Sequence, residues 1–215
     1  MHRHLLHCYL ALCFIAPLSA YENEHDLRVQ RWLSASVPAR HVPAVDKVVR
    51  RIMLHKARYV AVDKQTGVPW YVIAGLHNME SSGSFRHHLH EGSPLTSRTR
   101  WIPKGRPKTG SPPFSWEYSA KDALNYDSMG SKRWAYLFDT LWAVQCYNGT
   151  GYWRYHRDVP TPYLYSKCTV FGKEKPGKYV SDGKWSSTAR SKQIGVAAIW
   201  KRMEAKGILC FHRLK

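Results

Sequence analysis

The stretch from residue 69 to 82 constrains this chain more than any other. Pro69 suits the first position of a helix, where a backbone N–H is not needed. Gly83 suits the left-handed stop at the other end. Between them, Glu80 falls four residues after Leu76 and seven after Ile73, on the same apolar face. A carboxylate at the end of an apolar stripe is partly desolvated, which favours its neutral form. It also sits in the last helical turn, where the partial negative charge of the helix end disfavours another anion. Both effects push its pKa upward, and a protonated acid near neutrality is what cleavage of a glycosidic bond requires.

The rest of the chain reads as mainly helical. Val45, Val48, Val49, Ile52 and Met53 recur at helical spacing, with Lys47, Arg50, Arg51 and Lys56 on the other face. The Thr66-Gly67-Val68-Pro69 break follows. Further helices are expected over about Trp116–Tyr126, over about Ser131–Tyr147, and from near Ser187 to Gly207. The second of these ends in the Asn148-Gly149-Thr150-Gly151 turn. Residues 83–115 are rich in Gly, Pro, Ser and basic side chains, and a loop of that length inside a compact domain implies a function. Its Leu95–Ile102 portion has the pattern of a short strand. Residues 152–186 read as an aromatic, Pro/Gly-rich loop with short strands. The expected fold class is mainly α, with a small β or irregular insert between helices.

At 215 residues the chain can bury one substantial core. Lys and Arg number 33 against 15 Asp and Glu, a formal charge of +18 that draws the surface to polyanions. Nine Trp and thirteen Tyr supply flat rings on which sugars or nucleobases can stack, so composition alone leaves glycan and nucleic acid open. The N-terminus favours glycan. Arg3 precedes an apolar run from Leu5 to Leu18, followed by Ser19-Ala20 and a polar stretch, the layout of a secretory signal. The run is shorter than the roughly 20 apolar residues that a membrane span needs. The expected organisation is therefore a signal peptide over 1–20, a loosely packed lead-in over 21–43 and a catalytic domain over 44–215. The protein is expected to be exported to a periplasmic or extracellular compartment, monomeric, and without a stable membrane span once the signal is removed. Of the five cysteines, Cys146, Cys168 and Cys210 would remain, an odd number that allows at most one internal disulfide.

Met79-Glu80-Ser81-Ser82-Gly83-Ser84-Phe85 resembles the Glu-Ser motif of the lysozyme-like superfamily, in particular goose-type lysozymes and soluble lytic transglycosylases. Downstream, Cys146-Tyr147-Asn148-Gly149 is similar to that family's Ala-Tyr-Asn-(Ala)-Gly segment, with Cys in place of the first Ala. The resemblance implies a lysozyme-like helical domain that cuts the β-1,4 bond between N-acetylmuramic acid and N-acetylglucosamine in peptidoglycan. It implies Glu80 as the acid, Ser81 as a cleft-lining partner, and Tyr147 and Asn148 as sugar contacts. Between the two motifs the family carries a Gly-Leu-Met-Gln turn; here the basic Pro/Gly segment 83–115 stands in its place. Ser191-Lys192-Gln193-Ile194-Gly195 has a similar flavour but comes after the Tyr-Asn segment, so the two are not equated.

Other residues complete the expected site. A glycoside hydrolase usually pairs its acid with a second carboxylate, and Glu91 and Asp182 are the principal candidates, beside Glu117, Asp122 and Asp158. Lytic transglycosylases manage with one. Trp153 and Arg154, in the run Tyr152–Arg157, are expected to act as outer contacts, stacking on sugars and meeting substrate carboxylates. His77, His87, His88 and His90 cluster near Glu80, but their spacing fits no established metal motif. They are read as cleft polar groups or basic surface, with no metal and no cofactor expected. The partner is peptidoglycan or a related glycan, with weak non-specific polyanion binding besides. A chitinase- or chitosanase-like glycosidase remains an alternative reading, as does a non-catalytic basic protein that binds cell wall or nucleic acid.

Overall fold

The computed structural model describes residues 18–173, 177–181 and 183–211. Among these are ten α-helices and one two-stranded sheet, so the fold is mainly helical with a small β element. The organising element is α4, Trp70–Ser81, in which every residue from Val72 to Met79 is buried. Val72, Ile73 and Leu76 are wholly withdrawn from water, each contributing about 1.5–3 kcal/mol of burial.

Three helices frame it, two by direct packing and one by packing on another of the three. α2, Val42–Leu54, buries Val45, Val49 and Ile52, as its periodicity predicts. α3, Lys56–Thr66, ends at Gly67, whose left-handed conformation (φ 70°) makes the expected break. α10, Val196–Ala205, crosses α4 at Gly75. A Cβ there would lie 2.7 Å from Val196, so only a glycine admits the approach. Trp200 of α10 donates its indole N–H to the Tyr71 carbonyl at 3.1 Å. Arg202 of the same helix forks onto Asp46 of α2 at 2.8 and 3.0 Å and holds that carboxyl down to about pKa 2.

α5, Trp116–Tyr126, has the bounds its sequence predicts, with the Ser115 hydroxyl capping its first turn by accepting from Tyr118 N–H. α6, Leu137–Tyr147, starts later than expected. Met129–Ser131 forms a 3-10 turn instead, and Gly130 is pressed against the Thr66 carbonyl with no room for a side chain. Three short helices break the stretch read as loop: α7, Gly151–Tyr155; α8, Pro162–Tyr165; and α9, Thr169–Lys173. The antiparallel pair β1, Lys178–Ser181, and β2, Lys184–Ser186, follows α9. α10 begins at Val196 rather than near Ser187, because residues 191–195 form an extended strap. In that strap Gly195 N–H bonds Ser166 O, and Ser166 Oγ bonds Gln193 O.

Two expectations are corrected. Residues 21–43 are not a loose lead-in. α1, Leu18–Ser34, packs on α6, with Arg28 and Trp32 buried one turn apart and Ala35 buried just past its end. Arg28 lies over the Trp142 ring at 4.1 Å and donates to Gln145 at 2.8 Å, while Trp32 meets Phe211 edge-on. The apolar run of the expected signal lies outside the described residues up to position 17, and α1 continues through the expected cleavage point. In segment 83–115, Leu95–Ile102 forms no strand. The segment is irregular, with one isolated bridge between His87 and Pro94. Its backbone groups pair mostly with one another across turns, as Leu95 N–H does with Arg86 O, and the Thr99 hydroxyl adds ties to Arg106 N–H and Pro103 O. Cys146, Cys168 and Cys210 are free thiols. No helix among the described residues is long and apolar enough to cross a membrane.

Candidate functional site

Glu80 sits half-buried in the last turn of α4, where the buried helix emerges. Its carboxyl is held from across the fold. The Tyr163 hydroxyl, on α8, donates to Glu80 Oε1 at 2.7 Å. Pro162 occupies the first turn of α8, and all four residues of that helix are buried. The strap 191–195 links the two elements. Gln193 donates to the Met79 carbonyl at 2.9 Å, Asn78 donates to Ile194 O at 3.1 Å, and Gly195 lies flat on the backbone of Leu164 and Ser166. The end of α4 and the phenol that addresses it are thus set by one extended segment.

A second phenol completes the group. Tyr147, at the end of α6, donates to the Leu89 carbonyl at 3.1 Å. Burial raises the pKa of both Tyr147 and Tyr163 well above the ordinary phenol value. The negative charges of Glu80 and Asp127 push the same way at each. Both phenols therefore stay protonated and serve as donors through the physiological range. Asp127 caps the C-terminus of α5. It is the carboxylate besides Glu80 whose charge reaches the two phenols, and sequence reasoning did not single it out.

Residues 83–93 fold back over the end of α4. Gly92 (φ 81°) rests on the Glu80 carbonyl, where a Cβ would fall 2.6 Å from the oxygen. Replacing Gly92 with Ala is expected to cost about 1–3 kcal/mol from the left-handed backbone, plus displacement of this loop. Gly67→Ala, at a similar φ but with open space around it, should carry the backbone cost alone. Thermal melts should rank Gly92→Ala below Gly67→Ala, and equal melting temperatures would show that the loop does not bear on Glu80.

The other expected site residues are dispersed. Ser81 bonds back to the His77 carbonyl at 3.2 Å within its own helix. Asn148 is exposed and caps α6. Glu91 turns one oxygen onto the backbone and hydroxyl of Ser93 and leaves its other oxygen buried without a hydrogen-bond partner. Asp182 lies outside the described residues. Glu117 is engaged by Arg58, and Asp122 by Arg106 and His90; Asp158 is exposed. Trp153 meets Trp142 edge-on and lines a separate depression with Arg28, Gln145, Thr161 and Leu164, while Arg154 is exposed. Gln145 and Tyr147 are two apart on α6, as are Thr161 and Tyr163 around α8. The depression therefore opens on the far side of these helices from Glu80.

The histidines differ most from expectation. His77, His88 and His90 are interior groups, not basic surface. His77 Nδ1 meets the Tyr59 hydroxyl at 2.9 Å amid Phe85 and Trp116. His88 bridges Ser119 Oγ and the Ser97 carbonyl, and His90 meets Asp122 at 2.8 Å. Burial drives the pKa of His77 and of His90 down to about 4. Both are neutral packing groups that pin segment 83–115 to α3 and α5. Among the described residues, no three His, Cys, Asp or Glu side chains come close enough together to hold a metal ion.

Tyr163 was missed because a four-residue helix in a Pro-rich stretch carries no periodic signal; the Thr161-Pro162 start was its only trace. Replacing Tyr163 with Phe removes the donor to Glu80 and is expected to cost about 1.5–3 kcal/mol of stability, the scale of one hydrogen bond to a charged group. Urea melts check it, and an unchanged midpoint would show that the bond does not hold α8 to the end of α4. No family model, curated protein or solved structure was found to match this chain.

Proposed function

We propose that the chain is a peptidoglycan-cleaving glycosidase, a muramidase or lytic transglycosylase, with Glu80 as general acid on the β-1,4 bond between N-acetylmuramic acid and N-acetylglucosamine. One observation carries the reading: the glutamate of the Glu-Ser motif is half-buried and oriented by a buried phenol, with the tyrosine of the Tyr-Asn segment in its field. Glu80 and Tyr147, one from each motif that resembles the lysozyme-like superfamily, lie 67 positions apart in sequence, yet the charge of the first acts on the phenol of the second. A buried donor on Oε1 fixes the rotamer of the carboxyl, which is the positioning a general acid needs.

In a hydrolase a second carboxylate would steady the positive charge that develops on the sugar, or activate water. Asp127 is the group to test for that role, ahead of Glu91, whose carboxyl is turned onto Ser93. In a transglycosylase the sugar's own hydroxyl closes the ring and no second carboxylate acts. The N-terminal leader pattern supports export to the compartment that holds this substrate.

The test is incubation of the chain with purified peptidoglycan and mass spectrometry of what dissolves. Fragments broken between the two sugars support the reading, and a reducing or anhydro end assigns hydrolysis or transglycosylation. Release of intact glycan strands with cut peptides, or no release at all, would refute it.

A further inference from the structure

Three exposed aromatic side chains lie within one stretch, residues 101–126. Trp101 is 61% exposed, and Tyr118 and Tyr126 are each 41% exposed. Tyr118 and Tyr126 are eight residues apart on α5 and so share its outer face, about 12 Å from end to end at the helical rise. Lys121, exposed, lies between them along the helix axis. Tyr118 is fixed by stacking on Phe114 at 6.0 Å and by a 2.6 Å bond to Thr109. Tyr126 is fixed by the Arg106 guanidinium, 5.1 Å from its ring.

Arg106 also closes the loop that carries Trp101. Its N–H donates to Thr99 Oγ1 at 2.8 Å, its carbonyl accepts from Thr99 N–H at 2.8 Å, and Gly105 N–H bonds Thr99 O at 2.9 Å. Its side chain is paired with Asp122 of α5 through Nε and Nη2, at 2.9 and 2.5 Å. Thr99 is 3% exposed, so the loop turns on an interior pivot and presents an outer surface of Trp101 between exposed Arg100 and Lys104. A loop with this many internal bonds holds its indole in one place at little entropic cost on binding.

The strip leads toward the acid. Tyr126 immediately precedes Asp127, whose charge reaches the two phenols around Glu80. Flat rings that alternate with cations fit a strand of sugar rings that carries carboxylates: the rings stack and the cations neutralise.

We infer that Tyr126, Trp101 and Tyr118, with Arg100, Lys104 and Lys121, form an extended docking path for an anionic glycan strand, running outward from Glu80 along α5 and the 99–106 loop. The inference rests on the glycosidase reading and adds where the uncleaved part of the strand lies. The segment 83–115 is then a substrate-holding insert, and its basic character has a purpose.

Co-sedimentation of the full chain with purified peptidoglycan sacculi, at low and at high salt, tests this. Trp101→Ala should weaken binding about tenfold, the scale of one stacked ring, while Trp101→Phe should retain most of it. The Arg100→Glu/Lys104→Glu pair should weaken binding at low salt, with the difference from wild type shrinking as salt rises. These side chains are exposed, and circular dichroism confirms that each variant is folded. Binding of Trp101→Ala within twofold of wild type would overturn the inference. So would unchanged sacculus binding together with lost binding to vesicles of anionic phospholipid, which would make the loop a lipid contact. The readout is binding alone, so a failure of Glu80 as the acid leaves it unmoved and the two outcomes stay separable.

Discussion

Acidification from pH 7 to pH 4 is expected to remove roughly 4–6 kcal/mol of folding stability, a large share of the 5–15 kcal/mol typical of a folded domain. The cause is the pair of interior imidazoles. His77 and His90 titrate near 6.5 in the unfolded chain and at about 4 in the folded one, because burial disfavours their charged forms. The unfolded chain therefore takes up protons first. Stability from these groups is complete above pH 6.5, falls across the window from 6.5 to 4, and falls no further below it. Each shift corresponds to about 3 kcal/mol at 1.36 kcal/mol per pH unit; at His90 burial outweighs the opposing pull of the Asp122 carboxylate. Asp46 acts in a separate and lower window. Its carboxyl is depressed to about 2 by Arg202, so its contribution is lost only below pH 4. Urea melts at intervals between pH 7 and 4 would show the loss as a slope of about 2–3 kcal/mol per pH unit. A midpoint that stays constant over that range would contradict the interior placement of both histidines. The loss should begin in segment 83–115 and the loop over Glu80, since that is what the two side chains pin, so activity should fall with or before stability.

Much of the helical frame was legible in the sequence, because long helices announce themselves by periodicity and by their ends. α5 has a capping serine and well-marked bounds; α4 has Pro69 before it and Gly83 after it. The two motifs on α4 and α6 could be named before any contact was known. What was not legible is what long-range contact decides. Tyr163 reaches Glu80 from 83 positions away on a helix of one turn. The strap 191–195 that aligns them is extended backbone whose pattern reads as the start of a helix. Asp127 looks like an ordinary residue at a helix end. His77, at a helix position beside apolar neighbours, reads equally as a surface group or an interior one, and its fate is set by Tyr59 of another helix. Trp153 and Arg154 follow the Tyr-Asn segment directly in sequence, yet α7 carries Trp153 around to the far side of α6. Adjacency in the chain was a poor guide to adjacency at the site.

Glu80→Gln carries the largest effect on function. The amide preserves the shape of the carboxyl and still offers an oxygen to the Tyr163 hydroxyl, so the fold and the position of the side chain should survive. What it lacks is a proton to give. Loss of a general acid typically costs 10²- to 10⁴-fold in rate, about 3–5 kcal/mol of barrier. Nearby groups do not replace it: Tyr163 and Tyr147 hold their protons too tightly, and Glu91 is turned onto Ser93. The most direct measurement is the initial rate of soluble fragment release from purified peptidoglycan by wild type and by Glu80→Gln, at equal concentration and with matched thermal melts. A loss of at least a hundredfold with an unchanged melting temperature is the predicted result. A variant that releases fragments within fivefold of wild type would place the acid elsewhere and contradict the account at its centre.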